Sequence, residues 1–382
     1  MSRRLPVTVI TGFLGAGKTT VLRHLLTRSG QRLAVMVNEF GSVGLDGDLI
    51  RSCGFCPDDE VDGRLVELNN GCLCCTVQDD FLPTMEQLLE RADQLDGIVV
   101  ETSGLALPRP LLQALDWPAI RSRVHVNGVV TLVDGEALAA GSPVADREAL
   151  ERQRRDDPSL DHITAIDELF SDQLQAADLV LLSRADRLSP SQLDALQINL
   201  REQTRPGTAL LPVAHGAVDT SVVLGLEHHA GEPTDHHNHV HVHVHDHDHD
   251  HEHDHHGHDH DHHDHSHVAM VSGGLRLEGE FDRAALEQLL PRLVSELKVL
   301  RLKGRVWLPG KTLALQLQMV GPRLNSWFEA APTAAWRPGS GAGVDLVVLS
   351  LQESATETIE QALQTLQATP ATANTAARTP RG

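Results

Sequence analysis

At 382 residues the chain is long enough for two folded units, each able to bury a core. A formal net charge of −21 excludes the basic surface that a general nucleic-acid or anionic-membrane binder needs, so neither partner is expected. No run reaches the roughly 18 consecutive apolar residues of a membrane span.

Taken in chain order, Ser2-Arg3-Arg4 and the apolar stretch after it superficially resemble a twin-arginine export signal. The stretch runs into a glycine loop without a small-residue cleavage site, so export is not expected. Strand-length apolar runs then recur at Val7 to Thr11, Leu33 to Val37, Gly97 to Val100, Gly128 to Val133 and Leu179 to Leu182. Helical patterns lie between several of them, such as Phe81, Leu82, Met85, Leu88, Leu89 and Ala92. This alternation predicts an α/β unit over residues 1–227, a doubly wound and mostly parallel sheet whose ligands collect beyond the carboxyl ends of the strands.

Gly12-Phe-Leu-Gly15-Ala16-Gly17-Lys18-Thr19 fits the phosphate-loop pattern, directly after a strand and before an amphipathic helix that opens with Thr20 and Val21. Glycines let backbone N–H groups point at phosphate oxygens, and the helix adds its positive dipole end. Lys18 is expected to reach the β- and γ-phosphates and Thr19 to ligate Mg²⁺. Glu39, in Asn38-Glu39-Phe40-Gly41, would orient the attacking water or touch a metal. Glu101, opening Glu101-Thr102-Ser103-Gly104 at the end of another strand, would hold the Mg²⁺ water shell while Gly104 senses the γ-phosphate. Ser183-Arg184-Ala185-Asp186 stands where a nucleobase reader belongs. The usual guanine reader is Asn-Lys-x-Asp; Ser183 loses the amide and Arg184 replaces the lysine, its stem expected along the base. Asp186 keeps the carboxylate that accepts guanine's ring N–H and exocyclic amine, so GTP is expected over ATP.

All five cysteines fall between Cys53 and Cys75, an odd and tight group that reads poorly as a disulfide framework and suits a reducing, cytoplasmic compartment. Cys72-Leu73-Cys74-Cys75 is placed in a turn before the helix that begins near Phe81. Three thiols so close are soft ligands for Zn²⁺, Co²⁺ or Cu⁺, although buried small apolar residues are the other reading. Cys53-Gly-Phe-Cys56 either joins that site, binds separately, or is redox-active or structural.

Residues 228–267 form a linker expected to be disordered; 18 of the 24 histidines and nine acidic residues lie between 235 and 267. Its imidazoles bind metals weakly at many sites, as a buffer or merely as a solvated tether. Residues 268–351 predict a small α+β unit with strands at Leu275 to Leu277, Val299 to Leu302, Leu313 to Met319 and Val344 to Leu349, and a helix from Arg283 to Leu297. Residues 352–382 read as a flexible tail with one short helix around Glu357 to Leu366.

Together Gly12 to Thr20, Asn38 to Gly41, Cys72 to Cys75, Glu101 to Gly104 and the His-rich linker resemble the CobW group of P-loop GTPase metallochaperones. Glu101-Thr-Ser-Gly-Leu-Ala-Leu-Pro-Arg-Pro110 is similar to the cobalamin-linked branch rather than its zinc-related cousins. The resemblance implies GTP hydrolysis with Mg²⁺, and Co²⁺ held by the cysteine motif and delivered to the cobaltochelatase of aerobic cobalamin synthesis. The alternatives are a zinc chaperone of the same family serving another metal-accepting protein, a nickel-enzyme maturation GTPase, and a His-rich metal store.

Overall fold

The structure is a computed structural model and describes residues 3–37, 65–67, 73–156, 165–225, 238–239 and 270–368. Seven strands form a first, wholly parallel sheet: β1 (Leu5–Thr11), β2 (Leu33–Val37), β3 (Leu65–Glu67), β4 (Gly97–Glu101), β5 (Val124–Asp134), β6 (Leu179–Ser183) and β7 (Ala209–Pro212). Their order is β3-β2-β4-β1-β5-β6-β7. The helices between and after them are α1 (Lys18–Arg28), α2 (Leu73–Glu90), α3 (Pro108–Leu115), α4 (Gly135–Ala139), α5 (Arg147–Asp156), α6 (Ile166–Ala176), α7 (Pro190–Gln203) and α8 (Thr220–Leu224). Every residue of β4 and β6 is buried. Helices cover both faces of the sheet, so its strands read as continuous apolar runs and not as alternations. The expected doubly wound α/β unit is therefore present.

A second, antiparallel sheet has the order β12-β11-β10-β13-β9-β8. Its strands are β8 (Asn238–His239), β9 (Val271–Glu278), β10 (Val299–Trp307), β11 (Ala314–Val320), β12 (Arg323–Glu329) and β13 (Gly343–Ser350). Helices α9 (Arg283–Glu296) and α10 (Ala355–Ala368) bury Leu286, Leu290, Ile359 and Leu363 against one face.

Three expectations need correction. Helix α2 starts at Leu73, so Cys74 and Cys75 belong to its first turn and not to a turn ahead of it. Pro83, which usually marks a helix start, is tolerated inside α2 with its ring exposed. The helix expected around Glu357 to Leu366 is present, but residues 355–368 are not part of a flexible tail, because Ala355, Ile359 and Leu363 recur on one face and close the second core. Within the linker, Asn238 and His239 pair with Ser272 and Val271 as an edge strand. Strand β12 was unforeseen, because Arg-Leu-Asn-Ser-Trp-Phe-Glu carries no apolar run and all seven residues are only partly buried.

The two sheets meet at the amino end of β5. Its pairing with β1 slips between Val126 and Gly128, leaving Asn127 as an extra residue. Asn127 donates to Thr8 Oγ1 at 2.8 Å and Leu224 O at 3.0 Å, and its own oxygen accepts from Arg301 Nη1 at 3.0 Å and from Gln318. Arg301, on β10, is fully enclosed and donates to Val222 O at 2.7 Å and Asn127 O at 2.9 Å. Burial pulls its pKa down to about 9, which still leaves it charged at neutral pH, its charge spread over carbonyl dipoles. Nearby, the enclosed Asp178 accepts from Val129 N at 2.8 Å and from two arginines at 2.5 Å, Arg205 of the first unit and Arg323 of the second.

His125 completes the junction, its Nε2–H donating to Gln318 Oε1 at 2.8 Å and its ring 4.6 Å from that of Trp327. Nδ1 is buried without a partner, and burial holds the ring neutral by lowering its pKa to about 3. An unfolded chain takes up a proton below about pH 6.5 that the folded chain refuses until near pH 3, so this contribution is complete above pH 6.5 and is lost as pH falls. In urea unfolding between pH 7 and pH 5, wild type should lose about 1 to 2 kcal/mol more than His125→Gln. Parallel losses in the two proteins would remove His125 as the source.

Candidate nucleotide site

The phosphate loop leaves the carboxyl end of β1 and enters α1. Gly12, Gly15 and Gly17 all have positive φ, from 80° to 134°. A Cβ on Gly12 would stand 2.3 Å from Leu132 O, so this glycine packs the loop against β5 instead of lining the cavity. Lys18 is nearly enclosed, and its Nζ donates to Phe13 O at 3.2 Å, folding the ammonium back over the loop.

Parallel pairing sets Ile10 beside Glu101, and Thr102 N donates to Ile10 O at 2.9 Å. This register delivers the buried Glu101 to the start of α1, where Thr19 Oγ1 donates to its Oε1 at 3.5 Å. A hydroxyl and a carboxylate at the foot of a phosphate loop are the hard oxygen donors that suit Mg²⁺. Beyond them Gly104 presses on the phosphate loop so closely that a Cβ would lie 2.6 Å from Leu14 N.

The third wall follows β6. Ser183 Oγ donates to Val133 O at 3.2 Å, which spends the hydroxyl on the neighbouring strand. Arg184 sits in the left-handed region at φ 55°. Its guanidinium forms an ion pair with the buried Asp134 and donates to Gly15 O at 3.2 Å, tying the base loop to the phosphate loop. The head of Arg184 is therefore anchored, and only its stem is left for the base. Asp186 lies 3.7 Å from His215 Nε2, and Gly216 packs on Thr20.

Gly15, Ala16, Gly17, Lys18, Thr19 and Thr20 line one cavity of about 510 Å³ together with Glu101, Gly104, Ser183, Arg184 and Asp186. The volume matches a small-molecule ligand. Asp134 and His215 are additions that sequence reasoning missed. Both stand just past apolar strand runs, in Val133-Asp134-Gly135 and Ala214-His215-Gly216, where site residues of parallel sheets gather. Asp134 also caps α4 by accepting from Ala137 N at 3.1 Å. Glu39, Cys53, Cys56 and Cys72 lie outside the described residues, as do the side chains of Cys74 and Cys75 and nearly all the histidine run. Among the described residues no group of three or more His, Cys, Asp or Glu could hold a metal. Nor is any helix among them long and apolar enough to cross a membrane.

Comparison with known proteins gives two family matches. Residues 6–210 match the model described as CobW/HypB/UreG, nucleotide-binding domain, and residues 270–367 match the cobalamin synthesis protein cobW C-terminal domain. A protein of Sinorhizobium sp named Zinc chaperone CobW is 41% identical over 95% of this chain and 97% of its own length. A Pseudomonas aeruginosa protein of the same name is 44% identical over 85% of this chain and 83% of its own. The crystal structure of Zn(II)-bound YjiA GTPase from E. coli is 21% identical, covers 96% of this chain and 99% of its own, and superposes with a TM-score of 0.38, too low to add to the assignment. On the two family matches and the two relatives, the chain belongs to the CobW/HypB/UreG family and carries both its nucleotide-binding domain and the cobW C-terminal domain.

Proposed function

We propose that this chain is a Mg²⁺-dependent GTPase that loads a transition-metal ion and hands it to an acceptor protein in the cytoplasm. The observation that carries the reading is the meeting of phosphate loop, Thr19–Glu101 pair and Asp186 around a single cavity. Loop N–H groups, the positive end of α1 and Lys18 would hold the β- and γ-phosphates. Thr19 and Glu101 would hold Mg²⁺, which neutralises charge on the phosphate oxygens. Glu39 would orient the attacking water, and Asp186 would accept from guanine's N1–H and amine. Adenine offers no such pair of donors.

The cargo would be held by the thiolates of Cys72, Cys74 and Cys75, with Cys53 and Cys56 as further ligands. Both relatives above are named zinc chaperones, which favours Zn²⁺ over the Co²⁺ that the sequence resemblance implies. The acceptor is a cobaltochelatase if the cargo is Co²⁺ and another metal-accepting protein if it is Zn²⁺. The histidine run supports a second reading, a metal store whose nucleotide site is idle.

Turnover separates these readings. Arg184 and Arg187, the arginines lining the cavity among the described residues, pair with Asp134 and Glu136, so neither is poised on the γ-phosphate without first leaving an ion pair. Isolated wild type should hydrolyse GTP slowly, on the order of 10⁻³ s⁻¹, and Lys18→Ala should abolish it. Asp186→Asn reverses the hydrogen-bond polarity at the base and should weaken GTP binding roughly 10- to 100-fold while improving XTP. Equal hydrolysis of ATP and GTP by wild type would overturn the role of Asp186, and no turnover at all would favour the store.

Deleting residues 240–267 keeps the β8–β9 pairing and removes most of the histidines. The deleted protein should lose several weak metal equivalents and retain one tight, thiolate-bound ion with GTP turnover within about twofold of wild type. Loss of the tight ion in equilibrium dialysis would move the cargo site into the histidine run.

A further inference from the structure

The turn from Ser103 to Ala106 is closed by Ala106 N donating to Ser103 O at 3.1 Å. On one side it abuts the phosphate loop, through Gly104 against Leu14 N. On the other stands Gln173 of α6, which is completely buried. Its Nε2 donates to Gly104 O at 3.1 Å and Ala106 O at 3.4 Å. With two carbonyls facing the amide, the nitrogen must point at the turn, and this leaves Gln173 Oε1 buried with no partner. Packing alone would favour a leucine or methionine here, since a buried orphan acceptor is costly. The same helix also meets the phosphate loop, where Phe170 and Phe13 stack with ring centroids 6.1 Å apart.

We infer that Gln173 is a positioning residue for the γ-phosphate. Its amide presets the Ser103–Ala106 turn so that Gly104 N–H is aimed at the terminal phosphate of a bound nucleoside triphosphate. The inference deepens the GTPase reading and rests on it. Gln173 touches neither nucleotide nor reacting atoms; it acts by removing the conformational freedom that the turn would otherwise lose on binding. The two donor contacts are made to the γ-phosphate turn alone, so their loss bears on triphosphate and not on diphosphate.

Fluorescent GDP and a fluorescent non-hydrolysable GTP analogue, titrated into full-length wild type, Gln173→Met and Gln173→Glu with Mg²⁺, test this. Methionine keeps the volume and removes the donors; glutamate keeps the shape and sets a carboxylate against two carbonyls. Both variants should bind GDP within about twofold of wild type, while affinity for the GTP analogue falls about tenfold in Gln173→Met and further in Gln173→Glu. Single-turnover hydrolysis should fall in the same order. If Gln173→Glu does not fold, Gln173→Met decides. An unchanged GTP-to-GDP affinity ratio in a folded variant, or equal loss for both nucleotides, overturns the positioning role and leaves the GTPase reading standing. Wild type that binds neither nucleotide overturns both.

Discussion

The nucleotide cavity depends on the parallel placement of β1 between β4 and β5. Phosphate groups need several inward-pointing N–H donors and a cation, and a divalent ion needs oxygen ligands within a few ångströms of them. No single segment of this chain supplies both. The register Ile10↔Glu101 brings the carboxylate to Thr19, and the packing of Gly12 on Leu132 locks the loop to the other neighbour. Arg184 then reaches from the base loop to Gly15 O, so a shift of β6 relative to β1 would be felt at the phosphates.

Opposite this end of the sheet, polar groups join the two units. Arg301, Asn127, Gln318 and the triad Arg205–Asp178–Arg323 sit at the amino ends of β5 and β6 and are almost entirely paired within the protein. Removing one member would strand the others away from water, which makes the junction specific and intolerant of partial loss. Helix α6 spans the two ends: Gln173 holds the Ser103–Ala106 turn, and Asp178 follows within two residues of the helix's last residue, Ala176. A triphosphate bound as proposed would therefore lie a few residues along the chain from Asp178, whose ion pair with Arg323 crosses to the second unit.

The α/β unit was legible because buried parallel strands need uninterrupted apolar runs and the phosphate loop cannot be mistaken in its strand-to-helix setting. Less legible were features whose logic lies in a partner. The first residues of β5 read as non-strand because His125 and Asn127 are polar, yet the second sheet satisfies both. Asp134 reads as an ordinary loop acid until Arg184 folds back onto it. Helix α10 is legible as a short helix, but its packing is not, because its Ala- and Thr-rich surface hides three evenly spaced core contacts.

A GTPase that loads a metal and hands it on, as proposed, needs its nucleotide state to set metal affinity, and the cysteine motif lies in sequence between the Glu39 and Glu101 segments. Linkage is reciprocal, so a coupling of about 1 to 3 kcal/mol means roughly 5- to 150-fold in either affinity. The most direct measurement is a titration of Zn²⁺ in competition with a chelator, and of Co²⁺ by its thiolate charge-transfer absorbance, first with GDP and then with a non-hydrolysable GTP analogue. The account predicts tighter metal binding by that factor in the triphosphate state, erased in Cys74→Ser while GTP still binds. Equal metal affinity in both nucleotide states would contradict it and leave hydrolysis with no means of driving release.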